Sequence, residues 1–252
     1  MRSLIQSIMP LCVLAALVLL CAPLHAQQSG SAVGPLLEKP AAVLPPSPVT
    51  AEAKELVALV QGYYKKSGNF SAAFEQSYIS KMTMREQKSE GMVHFAAPKM
   101  MRWEYEKPER SVMVTDGSRA WYADFERKEL KVYENFKSSY MERSLAFLWG
   151  SGDLLQDYTI VIVDEKRIED LVDTGSRRVI EAVPIESNAQ FEIIYLFIDP
   201  ASGRIEEVLW FDAMGNSNNL RFKNVKTGQK WATDFFSFKA PGSDWVVENL
   251  NF

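Results

Sequence analysis

The stretch 100-MMRWEYEKPERSVMVTDG-117 decides the fold of this chain of 252 residues. Its first half alternates at period two, so that Met101, Trp103 and Tyr105 share one face while charged residues take most of the other. A Lys-Pro step then breaks the pattern, a second alternating run follows, and an Asp-Gly turn ends it. The stretch predicts two antiparallel strands, the first with an unusually large aromatic face.

Similar alternating runs continue on both sides of this stretch and predict about eleven or twelve strands. One predicted turn lies at 89–91, between runs at 81–87 and 92–97, and late runs at 235–238 and 245–247 complete the set. Twist accumulates across so many strands, so the sheet must curl and present a concave face. We therefore predict a mainly β fold with α, built on a curled antiparallel sheet.

Two segments have apolar residues at helical spacing. The first runs from residue 51 to about residue 66 and is preceded by a threonine that suits an N-cap. The second, at 141–155, interrupts the strands and has Leu145, Leu148 and Trp149 on one helical face. These two helices are the candidates to fill the concave face of the sheet.

The N-terminus has the pattern of a cleaved secretory signal peptide. Arg2 precedes a nearly pure apolar run at 11–20, which is too short for a membrane anchor, and Ala26 ends a cleavage-like site. Prolines among small residues then make the following segment a mobile tether. We predict a signal peptide at 1–26, a Pro-rich flexible linker at 27–50 and one folded domain at 51–252.

Composition excludes several classes of protein. Both cysteines, Cys12 and Cys21, lie in the predicted signal peptide, and Leu20 is not the small residue that lipidation of Cys21 would require. The mature chain would then hold no cysteine, which excludes disulfides and thiolate metal ligands. Without Arg2 the chain carries 27 basic and 32 acidic side chains, and this net charge of −5 argues against a nucleic-acid partner.

No set of catalytic residues stands out. His94 is the one histidine outside the predicted signal peptide, which excludes His-based triads and most zinc sites, and its position predicts an exposed or half-buried strand residue. The sequence has no Walker-type loop, and no GxGxxG follows a predicted strand. The carboxylates are spaced like solvent-facing strand positions. We therefore expect a non-enzymatic protein that uses no cofactor and no metal.

Aromatic and methionine side chains are more numerous than one thin sheet requires. Either they form an ordinary core between sheet and helix, which is the simpler interpretation of the pattern alone, or they line a cavity for greasy, variable ligands. The residues concerned are Phe70, Phe74, Met101, Trp103, Tyr105, Trp121, Phe125 and Trp149.

Four blocks of the sequence recur in one known family. They are, in order, 70-FSAAFEQ-76, 90-EGMVHFAAPKMMRWEYEKPERSVMVTDGSRAWY-122, 144-SLAFLWGSGDLLQDYTI-160 and 236-FSFKAPGSDWVV-247. These blocks resemble the periplasmic outer-membrane lipoprotein carrier (LolA) family. The blocks keep the family's order and approximate spacing, and they cover nearly the whole predicted domain. The second block, with its RWEYEKP, VTDG and WY elements, is the most specific.

The resemblance implies a half-open antiparallel β-barrel of about 11 strands with an N-terminal helix and a helical lid. It implies a periplasmic carrier that binds lipoprotein acyl chains in a hydrophobic cavity and shuttles lipoproteins from the inner to the outer membrane, without covalent chemistry or a cofactor. The implied partners are acylated lipoproteins, an inner-membrane lipoprotein-releasing ABC transporter and an outer-membrane lipoprotein receptor. We expect a monomer, because a carrier must expose its mouth to two partners in turn.

The resemblance favours the second interpretation of the numerous aromatic and methionine side chains, in which they line a ligand-binding cavity. By parity, Met101, Trp103 and Tyr105 lie on the concave face. We expect these three to bind ligand together with Phe70, Phe74, Trp121 and Phe125. The lid face would consist of Leu145, Leu148 and Trp149.

The chain departs from the family's pattern at the lid latch. Family members have a basic residue, usually Arg, before the proline that corresponds to Pro98, where this chain has Ala97. Lys99 or Arg102 would substitute only in part. The Pro-rich linker and the charged stretch 164–178 look additional. An envelope lipoprotein or stress sensor, or a carrier of other lipids on the same fold, is therefore kept as the alternative.

Overall fold

The computed structural model describes residues 39–40, 42, 49–134, 153–164, 168, 172–186, 189–232 and 234–250 of the chain. Its described helices are α1 (Ala51–Ser67) and α2 (Leu154–Asp157). Its strands are β1 (Phe70–Ser80), β2 (Arg85–Ala96), β3 (Met100–Lys107), β4 (Ser111–Thr115), β5 (Ala120–Asp124), β6 (Glu129–Tyr133), β7 (Tyr158–Ile162), β8 (Arg178–Pro184), β9 (Ile193–Ile198), β10 (Ile205–Phe211), β11 (Ser217–Thr227) and β12 (Val246–Leu250). Within these ranges, no helix combines the length and the apolar character that crossing a membrane requires.

The twelve strands form one open sheet in the order β12-β6-β5-β4-β3-β2-β1-β11-β10-β9-β8-β7. Neighbouring strands are antiparallel, except that β12 runs parallel to β6. The predicted mainly β fold with a half-open sheet is confirmed, and the expectation of purely antiparallel pairing is wrong at this one edge. The reason is the connection: β12 reaches the edge after a long crossing segment, and a crossover permits parallel pairing where a hairpin does not.

One face of the sheet shares a single apolar cluster with α1, and we call them the inner face and the inner cluster. The cluster includes Tyr133 of β6, near one edge of the sheet, and Ile160 of β7 at the other edge. Laid flat, twelve strands would span about 55 Å, whereas a helix as long as α1 spans about 25 Å. The sheet therefore curls around α1, as its predicted twist requires.

Helix α1 forms where local sequence favours it. The Thr50 hydroxyl accepts a hydrogen bond from the Ala53 N–H at 3.2 Å, which caps the first turn. Gly68, with φ of 58°, ends the helix and donates its N–H to the Tyr64 carbonyl. The apolar side of the helix is buried in the inner cluster, so the predicted start, end and orientation of this helix are confirmed. Its buried residues are Ala53, Leu56, Val57, Val60 and Tyr64.

The opposite side of the sheet, the outer face, is covered at both ends by irregular segments. The first cover, whose described residues are 163–164, 168 and 172–177, buries Ile168 and Val172 against β8, β9 and β10. Its Arg177 binds the fully buried Glu207 at 2.5 Å. Ile168 and Val172, from the stretch that looked additional in the sequence, are therefore part of the core on this face.

The second cover, whose described residues are 231–232 and 234–245, lies against β4, β5 and β6 and buries Phe236. The predicted strand 235–238 forms turns and irregular backbone, so that prediction is wrong. Phe235, Phe236 and Phe238 pack onto the outer face without pairing with a strand. Their apolar pattern reflects burial on one side and not a β ladder.

Strand β2 is continuous through the predicted turn at 89–91, which is therefore wrong. Gly91 lies inside the strand, where β2 and β3 shift register between Glu90 and Gly91. An ideal Cβ added at Gly91 would lie 1.9 Å from the Glu104 carbonyl oxygen. Gly91 is thus required by the close approach of two strands rather than by a turn.

Replacing Gly91 with alanine should destabilise the fold. The new methyl group would meet backbone, which cannot move aside as a flexible side chain can, and we expect a loss of about 2–4 kcal/mol in the free energy of unfolding. Gly62→Ala is the matched control, because nothing lies within 4 Å of its added Cβ on α1. That variant should gain about 0.5–1 kcal/mol. Urea denaturation measures both, and equal values for the two variants would contradict the close-approach role of Gly91.

Candidate functional site

Five of the predicted ligand-binding residues lie together on the inner face. Phe70 and Phe74 come from β1, and Met101, Trp103 and Tyr105 come from β3. All five are buried, with exposed fractions between 0% and 4%. The alternation of β3 places its three residues side by side, as the sequence predicts.

Ring contacts join these side chains into one aromatic surface. The Phe74 ring lies 4.9 Å from the Trp103 ring and 5.1 Å from the Tyr105 ring, both edge-on. The Phe70 ring stacks on Phe95 at 4.8 Å. Such contacts add stabilisation beyond the area they bury.

Sequence reasoning missed several members of this surface. Phe95 lies opposite Phe70, and Met113 lies opposite Trp103 across the β3–β4 pair. Both could have been predicted from β3, because residues paired across a hairpin face the same side of the sheet. Phe95 is paired with Met101, and Met113 is paired with Trp103. Trp210 and Phe222 could not, because β10 and β11 reach the inner face only through the pairing of β1 with β11, which is remote in sequence.

Helix α1 packs in the same apolar cluster as this aromatic surface, and its Tyr64 ring lies 5.6 Å from the Phe70 ring. Leu56, Val60 and Tyr64 belong to the same cluster as Phe70 and Trp103. The Tyr64 hydroxyl also accepts a hydrogen bond from the Ile205 N–H at 3.3 Å, and burial raises the pKa of this phenol. The inner face is thus closed by a part of the chain itself.

Trp121 and Phe125 do not join the inner face, and placing them beside Met101 was wrong. Trp121 pairs with Val114 and packs in the outer cluster that the second cover buries. The Phe125 ring lies 5.2 Å from the Trp245 ring in the same cover. Which residues of a strand face inward depends on its register with the neighbouring strand and cannot be counted through the turn. In β5 the register pairs Tyr122 with Met113, so Tyr122 is the aromatic residue that faces the inner cluster.

The predicted lid residues lie outside the described residues. They are Leu145, Leu148 and Trp149. Of the predicted insertion, the described part is the short helix α2, whose Leu154 is buried in the inner cluster. The lid face stays a prediction.

A buried polar chain crosses the aromatic surface. The Tyr105 hydroxyl donates to Gln76 Oε1 at 3.1 Å, and Gln76 Nε2 donates to Asn218 Oδ1 at 3.0 Å. These three residues come from β3, β1 and β11, so the chain runs across the strands. A glycine at position 91 in β2, opposite both Phe74 and Tyr105, leaves room for the tyrosine to reach over that strand.

Arg102, considered above as a substitute for the missing lid latch, faces the other way. Its Nε lies 2.7 Å from Glu104 Oε1, and its Nη1 donates to the Phe235 carbonyl at 3.0 Å. His94 Nε2 lies 3.8 Å from the second Glu104 oxygen. Arg102 therefore fastens the second cover to the outer face and is not placed to hold a lid over the inner face.

The environment of Glu104 favours its charged form. The interaction with His94 and the shorter one with Arg102 lower the pKa of Glu104 to about 2 from an ordinary value of 4.5, and burial only partly opposes them. Because the folded pKa lies below the unfolded one, the ionised carboxylate stabilises the fold above pH 4.5. This contribution is lost as the pH falls from 4.5 towards 2.

Acid should therefore weaken the protein partly through Glu104. We expect Glu104→Gln to be less stable than wild type near pH 6 and to approach wild type near pH 2, because the native carboxyl is then neutral as well. Glu106→Gln, at an exposed position on the same strand, is the control and should follow wild type throughout. Urea denaturation followed by tryptophan fluorescence measures the difference. A gap between wild type and Glu104→Gln that stays constant with pH would contradict the role assigned to Glu104.

A separate open groove of about 690 Å³ lies on the outer face. It is lined by β1, β2 and β11, between the two covers. Its charged side chains pair with one another: Lys107 with Glu90 at 2.6 Å, and Lys88 with Glu86 at 3.5 Å. The lining also includes Gln76, which accepts a hydrogen bond from the Tyr105 hydroxyl, so the groove reaches the margin of the aromatic surface. Within the described ranges, no group of three or more His, Cys, Asp or Glu side chains is arranged to hold a metal ion.

Comparison with known proteins matches most of the chain to one family. The family model described as "Outer membrane lipoprotein carrier protein LolA" matches residues 65–239. The outer-membrane lipoprotein carrier protein of Nitrosomonas europaea is 25% identical over 204 residues, which are 81% of this chain and 93% of that protein. The corresponding protein of Dechloromonas aromatica is 26% identical over 187 residues, 74% of this chain and 85% of that protein.

One solved structure supports the fold independently of sequence. An uncharacterised conserved protein from Thermus thermophilus superposes with a TM-score of 0.50 at 14% identity. The match covers 79% of this chain and 99% of that one. At this identity the likeness concerns the fold alone.

Proposed function

The chain belongs to the LolA family of outer membrane lipoprotein carrier proteins, and we propose that it is a periplasmic carrier that shuttles lipoproteins from the inner to the outer membrane. The acyl chains of the lipoprotein would bind on the inner face. The observation that carries this proposal is the burial of an aromatic and methionine surface in one cluster with α1, a single helix rather than another sheet.

Acyl chains need such a container because their exposure to water is unfavourable. Each buried methylene contributes about 0.8 kcal/mol, so the chains of one lipoprotein gain many kcal/mol on entering an apolar site. Met101 adapts its shape to the ligand, while the rigid rings of Phe74 and Trp103 offer flat apolar area. A lining of this kind suits chains of variable length better than a site shaped for one molecule.

Helix α1 sets how tightly the carrier holds its ligand. Leu56, Val60 and Tyr64 of α1 are themselves buried in the cluster that holds the aromatic surface. A ligand must replace those contacts, so its net affinity is the difference between two apolar interactions. A moderate affinity of this origin allows the ligand to be received at one membrane and released at the other.

The proposed partners follow from this role. They are acylated lipoproteins, an inner-membrane ABC transporter that releases them, and an outer-membrane receptor that accepts them. The signal peptide at 1–26 would direct the chain to the periplasm, and the linker at 27–50 would remain as a flexible N-terminal extension of the domain. The proposal requires no catalysis, and a monomer would present the same opening to both partners.

Recovery of the bound ligand tests the function directly. The protein, purified from its own periplasm under mild conditions, should retain diacylglycerol-type lipoproteins that mass spectrometry identifies. The periplasmic fraction of a strain that lacks this protein, carried through the same purification, is the control for contaminants. Recovery of free lipids alone would contradict lipoprotein transport and favour a carrier of other lipids. Recovery of no acylated molecule would contradict acyl carriage altogether.

A further inference from the structure

Strand β12 forms one edge of the sheet and is open on the side away from β6. Among the described strands it pairs with β6 alone, whereas each strand between the two edges has two neighbours. Its side chains are exposed, except that of Leu250, which is half-buried. At the opposite edge, none of the five side chains of β7 is exposed. An exposed edge such as β12 is a template for a further strand, because its outward N–H and C=O groups lack partners.

The hydrogen bonds to β6 show which backbone groups of β12 are unpaired. The Val246 N–H donates to the carbonyl of the residue before β6 at 2.8 Å, and the Leu250 carbonyl accepts from the N–H of the residue after β6 at 3.3 Å. Alternate residues of a strand direct their backbone groups to the same side, so the residues between them point the other way. Val247 and Asn249 therefore direct their N–H and C=O groups away from the sheet. We call these four groups the free edge.

The inner face is uncovered beside the free edge. Leu250 packs against the inner cluster and lies opposite Tyr133, so this apolar surface extends as far as β12. Val246 lies on the same side of the strand as Leu250, because the two are four residues apart, yet it is 66% exposed. Acyl chains on the inner face can therefore leave it past Val246, directly beside the free edge.

A second copy of this chain fits the free edge poorly. An antiparallel pair of β12 strands that joins all four groups places Val247 of one copy opposite Asn249 of the other. The same register places Glu248 opposite Glu248, and like charges directly opposite one another destabilise a strand pair. A strand of five residues is also too short to bury the roughly 1,200–2,000 Å² of a stable interface. The free edge therefore suits an extended segment of a different polypeptide.

A lipoprotein brings such a segment to the inner face, because its acyl chains are attached to the end of its polypeptide. Lipoproteins share this anchor but differ in sequence, so a carrier has to recognise what they have in common. Every polypeptide offers backbone N–H and C=O groups, and pairing with an edge strand uses these groups rather than a particular sequence. The entropy cost of ordering the segment opposes the new hydrogen bonds, so the pairing is weak enough to be reversed on delivery.

We propose that the polypeptide of a bound lipoprotein, next to its acylated end, pairs with the free edge and adds a strand to the sheet. The proposal rests on the acyl-carrier function given above and deepens it, because it gives the protein part of the cargo its own binding site. Val247 and Asn249 donate their N–H groups to the cargo backbone and accept from it at their carbonyls. The inner face holds the acyl chains of the same molecule.

Two fluorescent probes with the same acyl chains test this pairing. One is a diacylated lipopeptide whose peptide is long enough to pair with all five residues of β12, and the other is the diacylglycerol without a peptide. Wild-type protein should bind the lipopeptide about tenfold more tightly than the diacylglycerol. An unrelated peptide sequence of the same length should give the same preference, because the free edge contacts only the backbone.

Proline variants of β12 remove the free edge and keep the pairing with β6. Val247→Pro deletes an N–H that points away from β6, and edge strands tolerate proline at such positions. This variant should reduce the preference for the lipopeptide about threefold, and the double variant with Asn249→Pro should abolish it. Val247→Ala is the matched control, because it shortens the side chain, keeps the N–H and should retain the full preference. All these variants should bind the diacylglycerol as wild type does.

Hydrogen exchange in the wild-type protein is a second measurement that needs no variant. The Val247 and Asn249 amides should exchange at least tenfold more slowly with the lipopeptide bound than with the diacylglycerol bound, because only the lipopeptide supplies acceptors for them.

The outcomes separate the free edge from the carrier function. Three results would overturn the pairing and leave acyl carriage intact: equal binding of both probes by wild type, a preference that depends on the peptide sequence or survives in the double proline variant, or equal exchange of the two amides with both probes. A dimer in solution whose Val247 and Asn249 amides are already protected would assign the free edge to a second copy and overturn the proposal. Failure of both probes to bind wild type would instead overturn the acyl-carrier function on which the proposal rests.

Discussion

Tying α1 to the sheet should abolish acyl binding. Glu52 in the first turn of α1 forms an ion pair with Arg178 at the start of β8. At its other end α1 passes into β1 through two residues, so the Glu52 end is the one free to move. A bridge between positions 52 and 178 would hold both ends of the helix and keep the aromatic surface covered. We expect at least a hundredfold loss of affinity, because a ligand could no longer replace the helix.

The bridge can be made reversible. Both native cysteines precede residue 27, so the cleaved chain offers a background without thiols. Glu52→Cys combined with Arg178→Cys would be joined by a short bifunctional methanethiosulfonate, which a reducing agent removes. Binding of a fluorescent acyl probe should disappear on bridging and return on reduction. Recovery on reduction would show that the loss did not come from misfolding.

A matched pair of positions controls for the chemistry of the bridge. Glu75 and Lys223 form an ion pair at 2.5 Å between β1 and β11. Cysteines at these positions, bridged with the same reagent, would tie strand to strand on the outer face and leave α1 free. Acyl binding should then be unaffected. Full affinity in the bridged 52–178 variant would show that α1 need not leave the inner face.

The sequence predicts those parts of this fold that depend on near neighbours. Helix α1 follows from its N-cap, its apolar spacing and Gly68, all within the segment itself. Strands β3 and β4 occur where the stretch 100–117 predicts a strand pair, because the Lys-Pro step separates them and the Asp-Gly turn follows the second. The inner-facing set of β3 follows from the alternation of that strand alone.

The parts that sequence could not supply depend on contacts between remote segments. Gly91 is locally indistinguishable from a turn glycine, and only the approach of the Glu104 carbonyl explains it. Trp121 looks like a cavity residue until the register with Val114 assigns it to the outer face. The buried hydrogen-bonded chain of Tyr105, Gln76 and Asn218 joins β3, β1 and β11, and the pairing of β1 with β11 brings together segments that are remote in sequence. The sequence therefore predicts the residues that β1 and β3 contribute to the candidate site. It does not predict Trp210 of β10 or Phe222 of β11.

A charge at Trp103 should eliminate ligand binding, whereas the same change at Trp121 should not. Trp103 lies in the inner cluster and Trp121 in the outer one, and both are buried, at 3% and 8% exposed. Trp103→Glu would place a carboxylate among the acyl chains, where an unpaired polar group costs several kcal/mol. Since about 1.4 kcal/mol corresponds to a tenfold change in affinity, we expect a loss of more than a hundredfold.

Trp121→Glu is the control for Trp103→Glu, because both variants replace a buried tryptophan with the same residue. Each variant should lose stability, so circular dichroism and periplasmic yield would establish that both fold before probe binding is measured. Should either glutamate variant fail to fold, Trp103→Gln and Trp121→Gln repeat the comparison without a charge. Equal binding by the inner and outer variants would place the ligand elsewhere than on the inner face. Binding lost at Trp103 and kept at Trp121 ties acyl carriage to the face that α1 covers, because the two positions differ chiefly in the side of the sheet they occupy.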